Sequence, residues 1–557
     1  MVTMDIPTIP FAAGIILLSL AIYRYIIHPT FLSPLAKVPN AHWSVPYTRL
    51  WILHHRYHET ETPAAHQAHQ RLGPIVRIAP NDLSINSVDG GIRTIYAGGY
   101  EKGDWYKNIF NNYGIMPMFA MPDHGPHSKR KRMLSNIYAK STLQNAESVR
   151  AISKILLDDR LIPRLREKVR SGQPVEFYDV FAAVTMDFVS AYIFGLENSS
   201  QMIERPGMEK KFFRDYKARQ RYQFWNQDLP QLTDFLSRIG LRWLIIPKWV
   251  DQANADIETL VLNMCDGAEK TLQRIQADGV QGKPEHYPTV YAQLRNALLK
   301  DTATKPDLDL PVPDLIQHQR LAVASELLDH TLAGFDTSSI TLTFFAWELS
   351  RPCNKIWHDA LRRELSAVTD LHDAKAIDAL PILHATLMET LRLHAAIPGN
   401  QPRITPPAAE LGIKNDPNDF PHLPNLPAGI RVQSQAWSLH RNPSVFPDPE
   451  SWNPGRYLSS SSHLSSYASQ AEFETAIKEM NRWFWAFGSG GRMCVGSNLA
   501  MLDMKAIIAA IWTAFGTEEV DGRGMVHRGG YVAEPVGCEG KFCLLRLEER
   551  RPGQRET

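Results

Sequence analysis

Apolar positions dominate the start of the chain. From Ile6 to Ile27 the run IPTIPFAAGIILLSLAIYRYII carries a single charge, and its length is about that needed to cross a bilayer. Pro7 and Pro10 fall in its first turns, where proline is tolerated, and Arg24 lies near its far end. Asp5 precedes the segment while Arg24 and Lys37 follow, so the positive-inside tendency places the rest of the chain in the cytosol. No small-x-small cleavage pattern follows the run, which reads as an uncleaved anchor rather than a signal peptide. The expected division is an anchor over residues 1–28, a stiff connector over 29–45 marked by Pro29, Pro34 and Pro39, and one globular domain over 46–557.

Beyond the connector the periodicity changes. GPIVRIAPNDLSIN, Gly73 to Asn86, alternates and is rich in β-branched residues, which predicts a small hairpin or sheet edge. Helical spacing of apolar residues covers most of Ser128 to Val250 and Ala253 to Ala277. A long, largely uninterrupted helix is predicted over Leu315 to Leu349, and another over Leu380 to His394. Gln281 to Tyr287 and Thr302 to Pro313 are polar and proline-rich, hence loops. Pro398 to Pro427 reads as irregular structure with short strands, and Ser459 to Ser466 as a low-complexity surface loop. The fold class expected is mostly α with minor β structure, without internal repeats.

The 557 residues are 44% hydrophobic with a formal net charge of +1, which excludes disordered and collagen-like classes and speaks against a nucleic-acid partner. Five cysteines, Cys265, Cys353, Cys494, Cys538 and Cys543, are too sparse for a disulfide framework; all but Cys494 read as buried small hydrophobes in a reducing compartment. Cys538 and Cys543 are spaced C-x4-C, but further thiolates for an iron–sulfur cluster are not nearby. The histidine pairs His54/His55, His66/His69 and His124/His127 lack closing ligands for zinc.

The most specific chemistry lies in Phe487-Gly-Ser-Gly-Gly-Arg-Met-Cys494-Val-Gly496. Glycines at 488, 490, 491 and 496 let the backbone take positive φ and approach a flat ligand closely. Cys494 precedes a helix-patterned stretch from Leu499 to Phe515, where the helix dipole favours a thiolate, and Arg492 can reach an anionic group on the same ligand. Glu389 and Arg392 in METLR are spaced i,i+3 and share one helix face.

These residues resemble the cytochrome P450 family. F-x-x-G-x-R-x-C-x-G is its heme-binding signature, and every fixed position is matched. The likeness extends over nearly the whole chain after the anchor and is similar in style to filamentous-fungal microsomal members. It implies heme b (iron protoporphyrin IX) with Cys494 as the axial thiolate and metal ligand, and Phe487 and Arg492 as cofactor contacts. It makes Glu389 and Arg392 the family's E-x-x-R pair and Arg456 the third member of a buried triad, although Gly455 stands where the family often has Glu. His127 and Lys131 correspond to a pair meeting a heme propionate, where Trp and Arg are commoner, and Arg403 to the second propionate clamp. Ala333-Gly-Phe-Asp-Thr337-Ser338 resembles the oxygen-activation segment, with Gly334 leaving room for a diatomic ligand, Thr337 donating to it and Asp336 feeding protons from solvent; Ser338 replaces the commoner second Thr. The basic run Lys129-Arg-Lys-Arg132 is expected to steer an acidic electron donor.

The implied protein is a monooxygenase anchored in the endoplasmic reticulum membrane by a single pass, with its catalytic domain in the cytosol. It takes O2, a lipophilic small-molecule substrate, and electrons from an NADPH-dependent flavoprotein reductase; no flavin or nicotinamide fingerprint is found in the chain itself. Pocket walls are expected from Ile109 to Met121, the Ala333 region, Ala395 to Ile397 and Tyr531 to Val536. Fungal character points to secondary metabolism, with terpenoid, polyketide and alkaloid skeletons as candidates. The alternatives are a heme-thiolate isomerase or dehydratase using no external O2, and a heme-binding sensor without turnover.

Overall fold

The computed structural model of the chain describes residues 8–205, 207–279, 282–304, 312–416, 420–520, 525–536 and 543–549. The apolar run forms helix α1 (Thr8–Ile22), and the helix continues in wider π-type turns from Tyr23 to Leu32. Ile16, Leu17 and Tyr25 point outward, uncovered by the globule. The helical path passes through Pro29, beyond the expected boundary, because wider turns tolerate the missing proline N–H. Its exit is gripped by buried Arg77, whose Nη1 donates to Pro29 O at 2.9 Å and Nη2 to Pro80 O at 2.7 Å. Only carbonyls meet this guanidinium, and burial lowers its pKa to about 10.

The predicted hairpin is present as β1 (Ile75–Ala79) and β2 (Asp82–Ile85), paired antiparallel with Ile75 opposite Ile85. It belongs to a four-stranded sheet with β3 (Arg403–Ile404) and β4 (Arg431–Gln433), in the order β1-β2-β4-β3. β2 runs parallel to β4 with Leu83 opposite Val432, so segments about 350 residues apart in sequence meet here. Val175–Glu176, Leu544–Glu549 and Phe515–Glu519 form a further sheet that alternation alone did not reveal, being short and partly buried on both faces. Cys265 and Cys543 are buried, whereas Cys353 is exposed, against expectation; Cys538 lies outside the described residues.

Most of the mass is helical. Relevant to the site are α2 (His124–Leu134), α3 (Phe177–Phe194), α4 (Met208–Gln220), α5 (Val312–Ser350), α6 (Pro381–Leu393) and α7 (Ser497–Ala514). The break expected between Val250 and Ala253 is absent: one helix runs Lys248–Asp278 and ends on Gly279 at φ +63°. Helix α3 is apolar and long enough to span a bilayer, but it is buried and serves as a core helix against α5. Along α3, Asp187 is fully buried and accepts from Met202 N at 2.6 Å and Ile203 N at 2.9 Å, pinning the turn after the helix.

Close approach of α3 and α5 depends on Gly334. A Cβ there would sit 2.6 Å from Val189 Cγ2. The missing side chain therefore makes room for helix packing and not for a small ligand, which corrects the role expected for Gly334; the α-helix also runs unbroken through this position. Valine is stiff at χ1 in a helix, so it yields little. Replacing Gly by Ala inside a helix ordinarily gains about 1 kcal/mol, whereas overpacking costs about 1–3 kcal/mol. Gly334→Ala is thus expected to destabilise the wild-type background and to stabilise a Val189→Ala background. Urea unfolding of the four proteins of this cycle measures it, and loss of the sign reversal contradicts the packing role.

Candidate functional site

The cysteine loop begins where helix Gln470–Trp483 ends. Cys494 N donates to Phe487 O at 3.0 Å, closing a bend over the glycines, and Trp485 Nε1 donates to Ser489 Oγ at 2.9 Å. Of the four glycines, Gly488 (φ +68°) and Gly490 (φ +70°) take the left-handed conformation, while Gly491 and Gly496 do not. Gly490 is the tighter case: a Cβ would lie 2.2 Å from Tyr96 O. The Cys494 thiol is exposed at the end of this bend, just before α7. Surrounding protein nevertheless pushes its pKa up; the N–H groups of Gly496 and Ser497 and the Lys131 ammonium pull the other way without prevailing.

The loop is held from behind by the Glu389 cluster. Glu389 takes both forks of Arg392, at 2.7 Å to Nη2 and 2.8 Å to Nε, and accepts from Arg456 Nε at 3.2 Å and Asn453 N at 2.9 Å. Arg392 also donates to the carbonyls of His440, Pro449 and Ser451, at 2.8–3.0 Å. All three charged groups are buried. His440 then links cluster to loop: its Nδ1 donates to Arg392 O at 2.7 Å, and its Nε2 accepts from Trp485 N at 2.7 Å. Those two partners fix a neutral tautomer, and burial lowers the pKa to about 3.

Three cations gather on another side, Lys102 and Arg403 buried and Arg492 half-buried. Arg492 donates to Met121 O at 2.7 Å and Pro122 O at 2.5 Å; Arg403 donates to Pro402 O at 2.8 Å and Tyr106 Oη at 3.1 Å. Lys102 donates to Phe119 O and lies over the rings of Tyr106 and Phe119. None forms an ion pair with a carboxylate among the described residues. Mutual repulsion adds to burial in lowering the pKa of Arg492 to about 10, and of Lys102 well below its usual value. Buried His127 joins this group, and burial with the neighbouring Arg492 lowers its pKa to about 3. Lys102 escaped the sequence reading because a lone lysine between Glu101 and Gly103 carries no periodic signal.

Lys131 parts from His127. Its ammonium donates to Gly491 O at 2.9 Å and Met493 O at 2.8 Å, bracing the cysteine loop, so it is not a free clamp for an anion. The other residues of the basic run are also engaged: Lys129 with Asp301 at 2.5 Å and Arg130 with Glu326 at 3.3 Å, leaving Arg132 facing solvent. The run is therefore not the open basic face expected.

The middle of α5 supplies the opposite wall. Between Ala322 and Ala346 side chains are buried except at Asp329, Leu332, Ala333, Gly334 and Thr337, with Ala333 the most exposed. This window is the accessible stretch of an otherwise buried helix. Thr337 Oγ1 donates to Ala333 O at 2.9 Å within it. Asp336 turns away: it is buried and held by Lys217, by Tyr216 Oη at 3.1 Å and by Gln220 Nε2 at 3.3 Å, all on α4. Its carboxylate does not meet solvent here, which corrects the expected feed, because the ammonium of Lys217 offers a stronger partner than water.

Comparison with known proteins agrees with this arrangement. The sequence profile described as Cytochrome P450 matches residues 45–528. The chain belongs to the cytochrome P450 family. It is similar to cytochrome P450 monooxygenase tpcC of Cochliobolus heterostrophus, 27% identical over 94% of this chain and 91% of the relative. It is likewise similar to cytochrome P450 monooxygenase tazI of Aspergillus terreus, at 24% over 90% and 91%, and to macH of Penicillium terrestre, at 25% over 90% and 92%. P450 membership implies heme with a thiolate ligand, and the donor set fits: an exposed thiol, and three cations with no carboxylate suited to a dianionic ligand edge.

His440 makes the site acid-sensitive. Its folded pKa lies below the unfolded value of 6.5, so the unfolded chain takes up the proton first. The stability contributed by neutral His440 is present above about pH 6.5 and is lost as pH falls toward about 3. His440→Asn is expected to lower stability at pH 7 yet reduce the acid slope by up to about 1.4 kcal/mol per pH unit. Urea unfolding at several pH values checks this; an unchanged slope excludes His440 as a contributor.

Proposed function

We propose that the chain is a heme-thiolate monooxygenase that oxidises a lipophilic small molecule, with Cys494 as the iron ligand. The observation carrying this reading is the exposed Cys494 thiol on a glycine bend, with buried Arg403 and half-buried Arg492 nearby that have no carboxylate partners among the described residues. Heme bound through a thiolate supplies activation of O2. The chain's own residues provide the setting. Arg403, Arg492 and Lys102 offer charge to a dianionic edge, with His127 neutral beside them. Phe487 and Lys131 shape the loop, and the Glu389–Arg392–Arg456 triad keeps it rigid. Thr337 Oγ1, exposed in the α5 window, can hold a proton where a ligand would lie. Asp336, behind it, stays engaged with Lys217, Tyr216 and Gln220. The engagement of Asp336 is the one observation favouring an isomerase or dehydratase that needs no proton relay; reductase-dependent NADPH consumption separates the two.

Electrons come from an NADPH-dependent flavoprotein reductase, as the family's need for a redox partner supports. The fungal relatives support a place in secondary metabolism. Membrane attachment through α1, with the catalytic domain on the cytosolic side of the endoplasmic reticulum, is supported by the exposed apolar span Ala12–Leu32. A second apolar surface adds to it. Phe235, Leu241, Trp243 and Leu244 are exposed, as are Trp43 and Leu50 near the exit of α1. The two regions are joined by Arg49 and Asp228 at 3.8 Å and by the rings of Tyr57 and Phe224 at 5.4 Å.

Expected outcomes follow for ligand, relay and membrane. Purified protein contains heme and shows the thiolate-type red shift of its reduced carbon monoxide complex; Cys494→His abolishes the shift, and its persistence excludes Cys494 as ligand. Thr337→Ala diverts electrons into peroxide, measured as product and peroxide formed per NADPH; unchanged coupling excludes the relay role. Removing residues 1–32 leaves part of the protein on vesicles in a flotation assay, and adding Leu241→Glu with Trp243→Glu releases it. Full release by truncation alone contradicts the second membrane contact.

A further inference from the structure

A cavity of about 450 Å³ lies along α7, and no residue from Phe487 to Ser497 lines it. Its volume falls in the range of small-molecule sites, about 300–1,000 Å³. One face of α7 forms a wall, with Asn498, Met501, Leu502 and Lys505 at helical spacing. The remaining walls come from helix Lys140–Asn145, helix Glu147–Lys154, residues 371–378 and His384 on α6. Leu143, Val149, Ile377 and Ala506 give the lining an apolar character. The chemistry proposed above uses none of these residues.

The polar groups of the lining are not in balance. Asp378 meets two ammonium groups: Lys505 Nζ donates to its Oδ1 at 2.7 Å and to its carbonyl at 3.0 Å, and Lys140 Nζ pairs with Oδ2 at 2.6 Å. Gln144 Nε2 also donates to Oδ2, at 3.2 Å. The Lys505 side chain is only 1% exposed, so this excess of positive charge is held inside protein, where water screens it little. An ammonium has three protons, and the third of Lys505 has no partner among the described residues. Glu364, whose charge also reaches Lys505, is spent on Ile382 N and Leu383 N at 2.8 Å each.

His384 stands beside this group. Lys505 is the charge that acts on it most strongly, and neither ring nitrogen has a hydrogen-bond partner among the described residues. Burial and then Lys505 lower its pKa to about 4, so the ring is neutral near pH 7 and keeps one N–H to donate. The other polar groups of the lining are committed. His372 is tied between Ser153 Oγ at 3.2 Å and Asp158 Oδ2 at 2.8 Å, and Arg150 pairs with Asp370 at 2.7 Å. Asp373 caps the helix that starts at Ala374, and Glu147 is exposed to solvent. An ammonium proton and an imidazole N–H are thus left unspent beside apolar walls, and two such donors suit the two oxygens of a carboxylate.

We propose that this cavity is a second small-molecule site, which takes an organic acid with an apolar tail. The carboxylate accepts from Lys505 and His384, and the tail lies along α7 against Leu143, Val149 and Leu502. No bond is made or broken there. The site goes beyond the monooxygenase reading and does not depend on it.

The test uses the full-length holoenzyme with a saturating azole on its iron, so that the heme side is closed to added ligand. Octanoate, 1-octanol and octyltrimethylammonium are titrated by calorimetry. Wild type is expected to bind octanoate at one site, about tenfold or more tighter than octanol, as charge-assisted hydrogen bonds require. Octyltrimethylammonium should bind more weakly than octanol. Leu502→Trp, which fills the cavity without changing charge, should remove the octanoate site. His384→Ala should weaken octanoate by about tenfold and leave octanol unchanged, whereas His384→Gln, which keeps an N–H, should retain part of the preference. Should Leu502→Trp fail to fold, the two substitutions at the accessible His384 decide the matter. The proposal is overturned if octanoate finds no site, if either Leu502→Trp or His384→Ala leaves its affinity unchanged, or if the cation binds best. It is also overturned if His384→Ala weakens docking of the flavoprotein reductase while octanoate does not bind, which would assign the cavity to a protein partner.

Discussion

The buried contact between Glu389 and its two arginines is the constraint on which the rest of the site depends. A carboxylate and two guanidiniums removed from water are tolerable only if every donor and acceptor is satisfied. Here the surplus N–H groups of Arg392 and Arg456 are spent on carbonyls of the 440–451 segment. That segment cannot shift without exposing an unpaired charge. Because His440 sits in it and receives Trp485 N, the rigidity passes directly to the start of the cysteine loop. A loop of glycines, intrinsically the loosest part of a chain, is thereby held in one shape.

The same economy of partners recurs elsewhere. Lys131 braces the loop from α2, Asp187 pins the turn after α3, and Arg77 closes on the carbonyl of Pro29. In each case a charged side chain meets backbone groups that lie outside regular ladders. Irregular segments carry most of the chemistry in this fold, and these contacts give them the order that helices obtain from their own hydrogen bonds.

Much of this was legible in the sequence where a local pattern dictated a local structure. The long helix around Thr337, the hairpin at Ile75–Ile85 and the order of Glu389, Arg392 and Cys494 all follow from spacing. What spacing could not show was direction. Asp336 and Thr337 are adjacent in sequence, yet one is buried against Lys217 and the other lies in the accessible window of α5. His127 and Lys131 share a helix face, yet one is drawn among cations and the other into the loop. Gly334 lacks a side chain for the sake of Val189, a partner 145 positions away. Lys102 gave no signal because its meaning depends entirely on what folds around it.

The cluster of Lys102, Arg403 and Arg492 has a consequence beyond recognition. Their charges repel one another, and no carboxylate of the described chain neutralises them. A dianionic ligand that enters among them relieves that repulsion in the folded state alone, so its binding energy adds to the energy of folding. A chain without the ligand keeps that repulsion and is expected to be the less stable form. Loading with the prosthetic group is thus expected to stabilise the fold as well as to complete the site.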